Sequence, residues 1–269
     1  SAPNGVAVNQ GPASAIVSWT SPTSTGGAAI TGYTATAYSA STGGTVSGTA
    51  CTTATLTCTI TGLTNGTTYY VSVVATNAAG SGPATSPRVS VIPAALPGAP
   101  TITTITAADA RLSVAFTAGT NDANAPITSY QYTIDGGTNW VNVVGTSSPI
   151  SILALTNGTT YSVKIRAVSA IGNGADSNSV SSKPFTVPSP ISNAAVTYSS
   201  SSGSVTLTWG APSNNGSEIT NYYVEVFNDL TAGSTRGNCN TAGTLSCTIS
   251  SLVNGTTYYA TLQSKNGAG

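Results

Sequence analysis

Four cysteines stand in two close pairs, Cys51 with Cys58 and Cys239 with Cys247, in a chain that has no histidine. Paired cysteines without histidine point to disulfides rather than zinc, and disulfides to an oxidising compartment. Each pair closes a loop of hairpin size, for which the chain-entropy model gives about 2.5 kcal/mol. Four reduced, buried thiols and a redox switch are the competing readings. A second group with chemical potential is Asn-Gly-Thr, present at Asn65, Asn157 and Asn254. A eukaryotic secretory pathway could read each as an N-glycosylation acceptor. Each is also a turn feeding a strand, because Asn and Gly tolerate positive φ.

The remaining candidates are weaker. Thr133 to Trp140, "TIDGGTNW", resembles the Asp-box hairpin of sialidase propellers. A single copy cannot build a propeller, so a hairpin turn with Trp140 beside it is expected. An exposed Trp140 could still anchor a glycan or a protein. Asn121, Asp122 and Asn124 offer oxygens to a cation. One carboxylate falls short of what hard cations take, so a structural loop is expected and no metal site. Lys164 suggests a Lys–Asn isopeptide bond, which needs a buried lysine, and strand alternation puts Lys164 outside. "STRGN" around Arg236 is not Arg-Gly-Asp. No base is placed to activate the abundant Ser and Thr, and the few carboxylates are scattered. No catalytic residue and no cofactor are therefore assigned.

The elements that must position these residues are written in the composition. Charged residues make up 5% of the 269, seven of each sign, while 39% are hydrophobic. About a quarter of an average globular protein is charged. Through residue 95 the only charged side chain is Arg88. No basic patch exists to neutralise phosphates, which excludes nucleic acid as an expected partner. No apolar run approaches the ~20 residues of a membrane span. Apolar residues alternate with Thr and Ser, so folded β structure is expected rather than disorder.

The chain repeats itself. Asn65, Asn157 and Asn254 lie in "LTNGTTYY", "LTNGTTYS" and "LVNGTTYY". Each phrase follows the same order of signals: a short strand with a large aromatic (Trp19, Phe116, Trp209), a Pro/Gly/Asn-rich loop, then a strand containing Tyr33, Tyr130 or Tyr222. Period-two alternation marks these as half-buried strands, and no stretch shows helical periodicity. Seven strands per unit of about 90 residues suit a two-sheet sandwich.

These features resemble the fibronectin type III family, which is marked by a Trp on its second strand and by Leu, then Tyr six residues on, entering its sixth. The matching residues are Trp19, Leu63 and Tyr69; Phe116, Leu155 and Tyr161; and Trp209, Leu252 and Tyr258. Phe116 departs from Trp but keeps a large apolar plug. The low-charge, Thr-rich style looks more like bacterial or phage surface copies than animal matrix proteins.

The resemblance implies an all-β chain of three immunoglobulin-like sandwiches in a linear rod. The expected domains are 1–93, 97–187 and 190–269, joined by stiff Pro-rich linkers at Ile92 to Pro100 and Thr186 to Ser192. At ~35 Å per unit the rod would reach ~100 Å. The third unit lacks its last strand, so a fragment of a longer protein or a strand donated by another chain is expected. An inward Tyr needs a partner for its hydroxyl, and a tyrosine corner supplies one from nearby backbone.

The function implied is a non-enzymatic, extracellular or cell-surface structural or adhesive rod. Its expected partners are copies of itself or neighbouring domains. A glycan- or receptor-binding adhesin and the accessory stalk of a secreted polysaccharide-degrading enzyme are the alternatives.

Overall fold

The structure, a computed structural model, describes residues 1–199, 202–229 and 234–269, and all regular structure among them is β. The first repeat contains β1 (Asn4–Gly11), β2 (Ser14–Thr20), β3 (Ile30–Tyr38), β4 (Val46–Thr53), β5 (Thr57–Thr61), β6 (Tyr69–Asn77), β7 (Gly80–Ser81) and β8 (Val89–Val91). The second contains β9 (Thr101–Ala108), β10 (Arg111–Thr117), β11 (Ile127–Thr133), β12 (Val141–Val143), β13 (Ile150–Ile152), β14 (Tyr161–Ser169), β15 (Gly172–Asn173) and β16 (Val180–Ser182). The third contains β17 (Ala195–Ser199), β18 (Ser204–Thr208), β19 (Asn221–Phe227), β20 (Thr235–Thr241), β21 (Ser246–Ile249) and β22 (Tyr259–Lys265).

One compact unit comprises Ser1–Ile102, Phe116–Ser147 and Lys164–Asn178. Within it the first repeat forms a sheet in the order β1-β2-β5-β4-β3-β6-β7, with β8 also on β6. Strand β4 belongs to both layers. It pairs with β3 along Tyr38 to Tyr33 and touches β5 through Thr49 and Thr61. Alternation decides what each layer buries. Ala15, Val17 and Trp19 of β2 point inward, while Ile16 is 45% exposed. Facing them are Tyr33, Ala35 and Ala37 of β3 and Tyr69, Val71, Val73 and Ala75 of β6. Burying side chains of this size stabilises the sandwich by about 1.5–3 kcal/mol each. The second repeat's sheet β12-β11-β14-β15 buries Tyr130 together with Ile165 and Ala167. There Phe116 meets Tyr130 edge-on at 4.6 Å, the place where Trp19 meets Tyr33 at 5.5 Å in the first repeat.

The final strand differs from the single element the sequence suggests. In the first repeat it is split into β7 and β8, which pair with opposite ends of β6. Pro83 and Pro87 lie between them and carry no N–H for the ladder. Thr85 fills the gap: its N–H donates to the Val73 carbonyl, and its hydroxyl accepts the Val73 N–H. Ser177 does the same for Ile165 in the second repeat.

The other compact unit comprises Thr103–Ala115, Ser148–Val163 and Ser179–Gly269. The sheet β13-β10-β9 buries Leu112, Val114, Ile150 and Ile152. The third repeat has sheets β17-β18-β21 and β20-β19-β22 around Leu207, Trp209, Tyr222, Val224, Val226, Ile249 and Leu252. Among the described residues, β22 is paired with β19 alone.

Candidate functional site

The thrice-repeated phrase builds a corner that clasps one residue of the hairpin between the first two strands of its repeat. Ala13 has φ 49° and Ala110 φ 50°, the left-handed region that costs an L-residue about 1–2 kcal/mol. Both polar groups of that residue are captured by the phrase. The Leu63 N–H donates to the Ala13 carbonyl, and the Asn65 Oδ1 accepts the Ala13 N–H at 2.8 Å. Leu155 and Asn157 treat Ala110 in the same way. In the third repeat Leu252 donates to Gly203, and Asn254 accepts the Tyr198 hydroxyl.

The tyrosine then folds back on its own turn. Tyr69 Oη accepts the Thr64 N–H at 3.1 Å, Tyr161 that of Thr156 at 3.0 Å, and Tyr258 that of Val253 at 3.1 Å. The Thr64 N–H holds the Tyr69 phenol below its usual range, because it stabilises the phenolate. Tyr69 is buried, but Tyr161 and Tyr258 are half-exposed, short of the full burial the pattern suggests. Val91 lies opposite Tyr69, whereas the smaller Ser182 lies opposite Tyr161. The strands fed by these turns start at Tyr69 and Tyr161, two residues after Thr67 and Thr159.

The glycine of each of the first two phrases holds the chain as it leaves the repeat. Gly66 N–H donates to the Pro93 carbonyl at 2.8 Å, and Gly158 N–H to that of Pro184 at 2.9 Å. Within the first compact unit, Asp122 Oδ2 accepts the Ala95 N–H and Oδ1 accepts the Asn124 N–H. These bonds hold the Asp122 carboxyl below the usual carboxylate range. Asp122 thus anchors backbone, the structural role expected for its loop. As a sugar acceptor Asn157 is compromised: its Nδ2, the atom that would carry the glycan, donates to Asp109.

Both cysteine pairs are disulfides, and each ties one layer of its sandwich to the other. Cys51 sits on β4 opposite Ala35, and Cys58 on β5 opposite Val17. Cys239 sits on β20 opposite Val224, and Cys247 on β21 opposite Leu207. By strand register, Val141 and Ile150 take these places in the second repeat.

Trp140 is half-buried beside a closed turn. Asp135 accepts the Thr133 hydroxyl at 2.6 Å and the N–H groups of Thr138 and Asn139. Its carboxyl is held far below the usual range, chiefly by the Thr133 hydroxyl and then by Asn139. The indole N–H donates to Gly137, and the Arg166 guanidinium lies 4.0 Å from the ring centroid. Lys164 faces outward toward Asp176 at 3.7 Å. No group of three or more His, Cys, Asp or Glu is placed to hold a metal among the described residues.

A fibronectin type III domain model matches residues 1–92, 97–183 and 189–269. The chain belongs to the fibronectin type III family. No curated protein matches the sequence. Among solved structures, the chicken CNTN1 FN1–FN3 domains are similar at 17% identity over 100% of this chain and 94% of that one. The TM-score of that match is 0.32. Fibronectin type III domains are generally non-catalytic modules, and those with disulfides are typical of extracellular proteins.

One recurrent position in these fibronectin type III repeats was not expected from the sequence. Asn77 and Asn266 each stand eight residues after the corner tyrosine. Asn77 Nδ2 donates to Thr25 and the buried Asn266 to Asn214, each pinning the loop ahead of the third strand, and Asn266 also donates to Thr186 in the linker before its repeat. Aligning the repeats on tyrosine exposes the signal, although Ser169 interrupts it in the second copy.

Proposed function

We propose that this chain is a non-enzymatic structural or adhesive protein of the cell exterior, whose sandwiches pack side by side with copies of themselves into a filament or sheath. The observation that supports this reading is the scarcity of free charge. Arg88, alone in charge among the first 95 residues, turns back on its own repeat. It donates to the Ala40 and Gly43 carbonyls and lies 3.5 Å from the Tyr38 ring centroid. Uncharged faces of Thr and Ser do not repel a neighbour and can hydrogen-bond to it. Sedimentation of the purified chain tests the proposal. Association that grows with concentration and survives high salt is expected; a monomer under all conditions sinks it.

Recognition of a glycan through Trp140 is the weaker reading. Arg166 lies over the ring against which a sugar would stack.

A further inference from the structure

One row of polar side chains on the second repeat ends in donors on both sides. Strands β12, β11 and β14 lie side by side, and their register sets Asn142, Gln131 and Arg166 in line across them. The row stands on the outer face, because Tyr130 before Gln131, and Ile165 and Ala167 on either side of Arg166, are buried. Its polarity is fixed by the arginine, which has donors only. Arg166 Nε donates to Gln131 Oε1 at 2.7 Å, so the Gln131 amide must present its oxygen to Arg166. Gln131 Nε2 then donates to Asn142 Oδ1 at 2.7 Å, which turns Asn142 Nδ2 away from the row. Left at the ends are the Arg166 Nη groups and Asn142 Nδ2, which have no hydrogen-bond partner among the described residues. The backbones that carry these two ends are two strand spacings, about 10 Å, apart.

Arg166 is held ready. Its guanidinium lies 4.0 Å from the Trp140 ring centroid, and the indole is itself tied to Gly137. Trp140 thus supports the cation instead of offering a platform to a sugar ring. A guanidinium fixed at Nε and across one face loses little freedom when its fork takes a ligand. Arg88 in the first repeat is the contrast. It too lies over a ring, that of Tyr38, but its Nη1 is spent on the Ala40 and Gly43 carbonyls. The charges around Arg166 are already met. Lys164, two residues away on β14, pairs with Asp176. Asp135 accepts from Thr133, Thr138 and Asn139. One cationic fork stays open, with one neutral amide donor across the sheet.

We infer that this row binds a carboxylated sugar, a uronate unit of an acidic polysaccharide. The Arg166 fork takes the carboxylate end-on through Nη1 and Nη2, in two parallel N–H···O bonds. Asn142 Nδ2 donates to a hydroxyl or ring oxygen of the same chain of sugars. The donor set selects this class. A neutral sugar leaves the charged fork without its anion. An acidic peptide calls for several open cations, and the row has one. The inference goes beyond side-by-side packing and does not rest on it.

The test titrates the 269-residue chain with oligogalacturonate, with neutral dextran oligomers and with polyglutamate, read by tryptophan fluorescence and calorimetry. Trp19 and Trp209 are buried, so a change in emission reports on Trp140. Oligogalacturonate is expected to change the emission and to bind at millimolar concentration or below, while dextran does neither. Arg166→Lys keeps the charge but gives up the fork, and should weaken binding about tenfold or more. Asn142→Ala should weaken it about threefold to tenfold. If Arg166→Lys fails to fold, Asn142→Ala carries the comparison. No response to millimolar oligogalacturonate, an equal response to dextran, polyglutamate binding as tightly or more so, or undiminished affinity in folded variants would each overturn the inference.

Discussion

Two indole nitrogens, Trp19 Nε1 and Trp209 Nε1, are buried without a hydrogen-bond partner among the described residues. The second repeat places Phe116 at the same site and so avoids that cost. An unpaired buried donor costs about 1–3 kcal/mol, which offsets part of what the larger ring contributes by burial. Trp19→Phe is therefore expected to cost less than about 1.5 kcal/mol in denaturant unfolding, against about 3–5 for Trp19→Ala. Equal losses would show that the indole N–H has a role after all. Asp135 and Asp122 titrate below their unfolded values, because hydroxyl and N–H donors hold the carboxylate form. Their stabilisation is complete above about pH 4 and is lost as pH falls through the lower folded values. Melting curves should be flat near neutrality and fall below about pH 4, and Asp135→Asn should flatten part of that fall. The Leu-Asn-Gly-Tyr corner was legible at this scale because one phrase recurs at fixed order. The clasp on Ala13 was not: alanine advertises no left-handed φ, and its partner Asn65 lies 52 residues away.

At the scale of elements, the two disulfides and the unstapled second repeat form an internal comparison. Each disulfide ties two layers of its sandwich; its loss frees β20 from the facing layer, and leaves β4 held to β5 through Thr49 and Thr61 alone. Reduction should lower the stability of the first and third repeats by about 2.5 kcal/mol each and leave the second unchanged. Hydrogen exchange with and without reductant measures this repeat by repeat. Uniform loosening of all three would contradict it. Strand positions were legible because alternation of apolar and polar residues dictates which face is buried, as in Ala15, Val17 and Trp19. The split of the final strand into β7 and β8 was less so. Pro83 and Pro87 announce an interruption, but only the fold shows that the Thr85 hydroxyl replaces the missing ladder bond. The reach of the disulfides from layer to layer was likewise hidden, since a spacing of seven or eight residues also fits a simple hairpin.

For the molecule as a whole, the scarcity of charge decides how it responds to solvent. The ion pair between Lys164 and Asp176 is partly exposed, and exposed pairs contribute about 0–1 kcal/mol. Added salt has little to screen, within the chain or between copies. The melting temperature and the sedimentation profile should both be nearly independent of ionic strength. A steep salt dependence of association would show that the few charges, rather than the Thr and Ser faces, carry the contact.

The short disulfide loops have a mechanical consequence. Cys51 and Cys58 are seven residues apart, and Cys239 and Cys247 eight. A repeat pulled open by its ends loses to the bridge only about 25 Å of reachable length, at ~3.5 Å per residue. The bridge keeps the two layers registered at one edge, yet nearly all of the repeat's chain stays available as slack. Under tension the first repeat resists opening like a stapled domain and, once open, extends almost like an unstapled one.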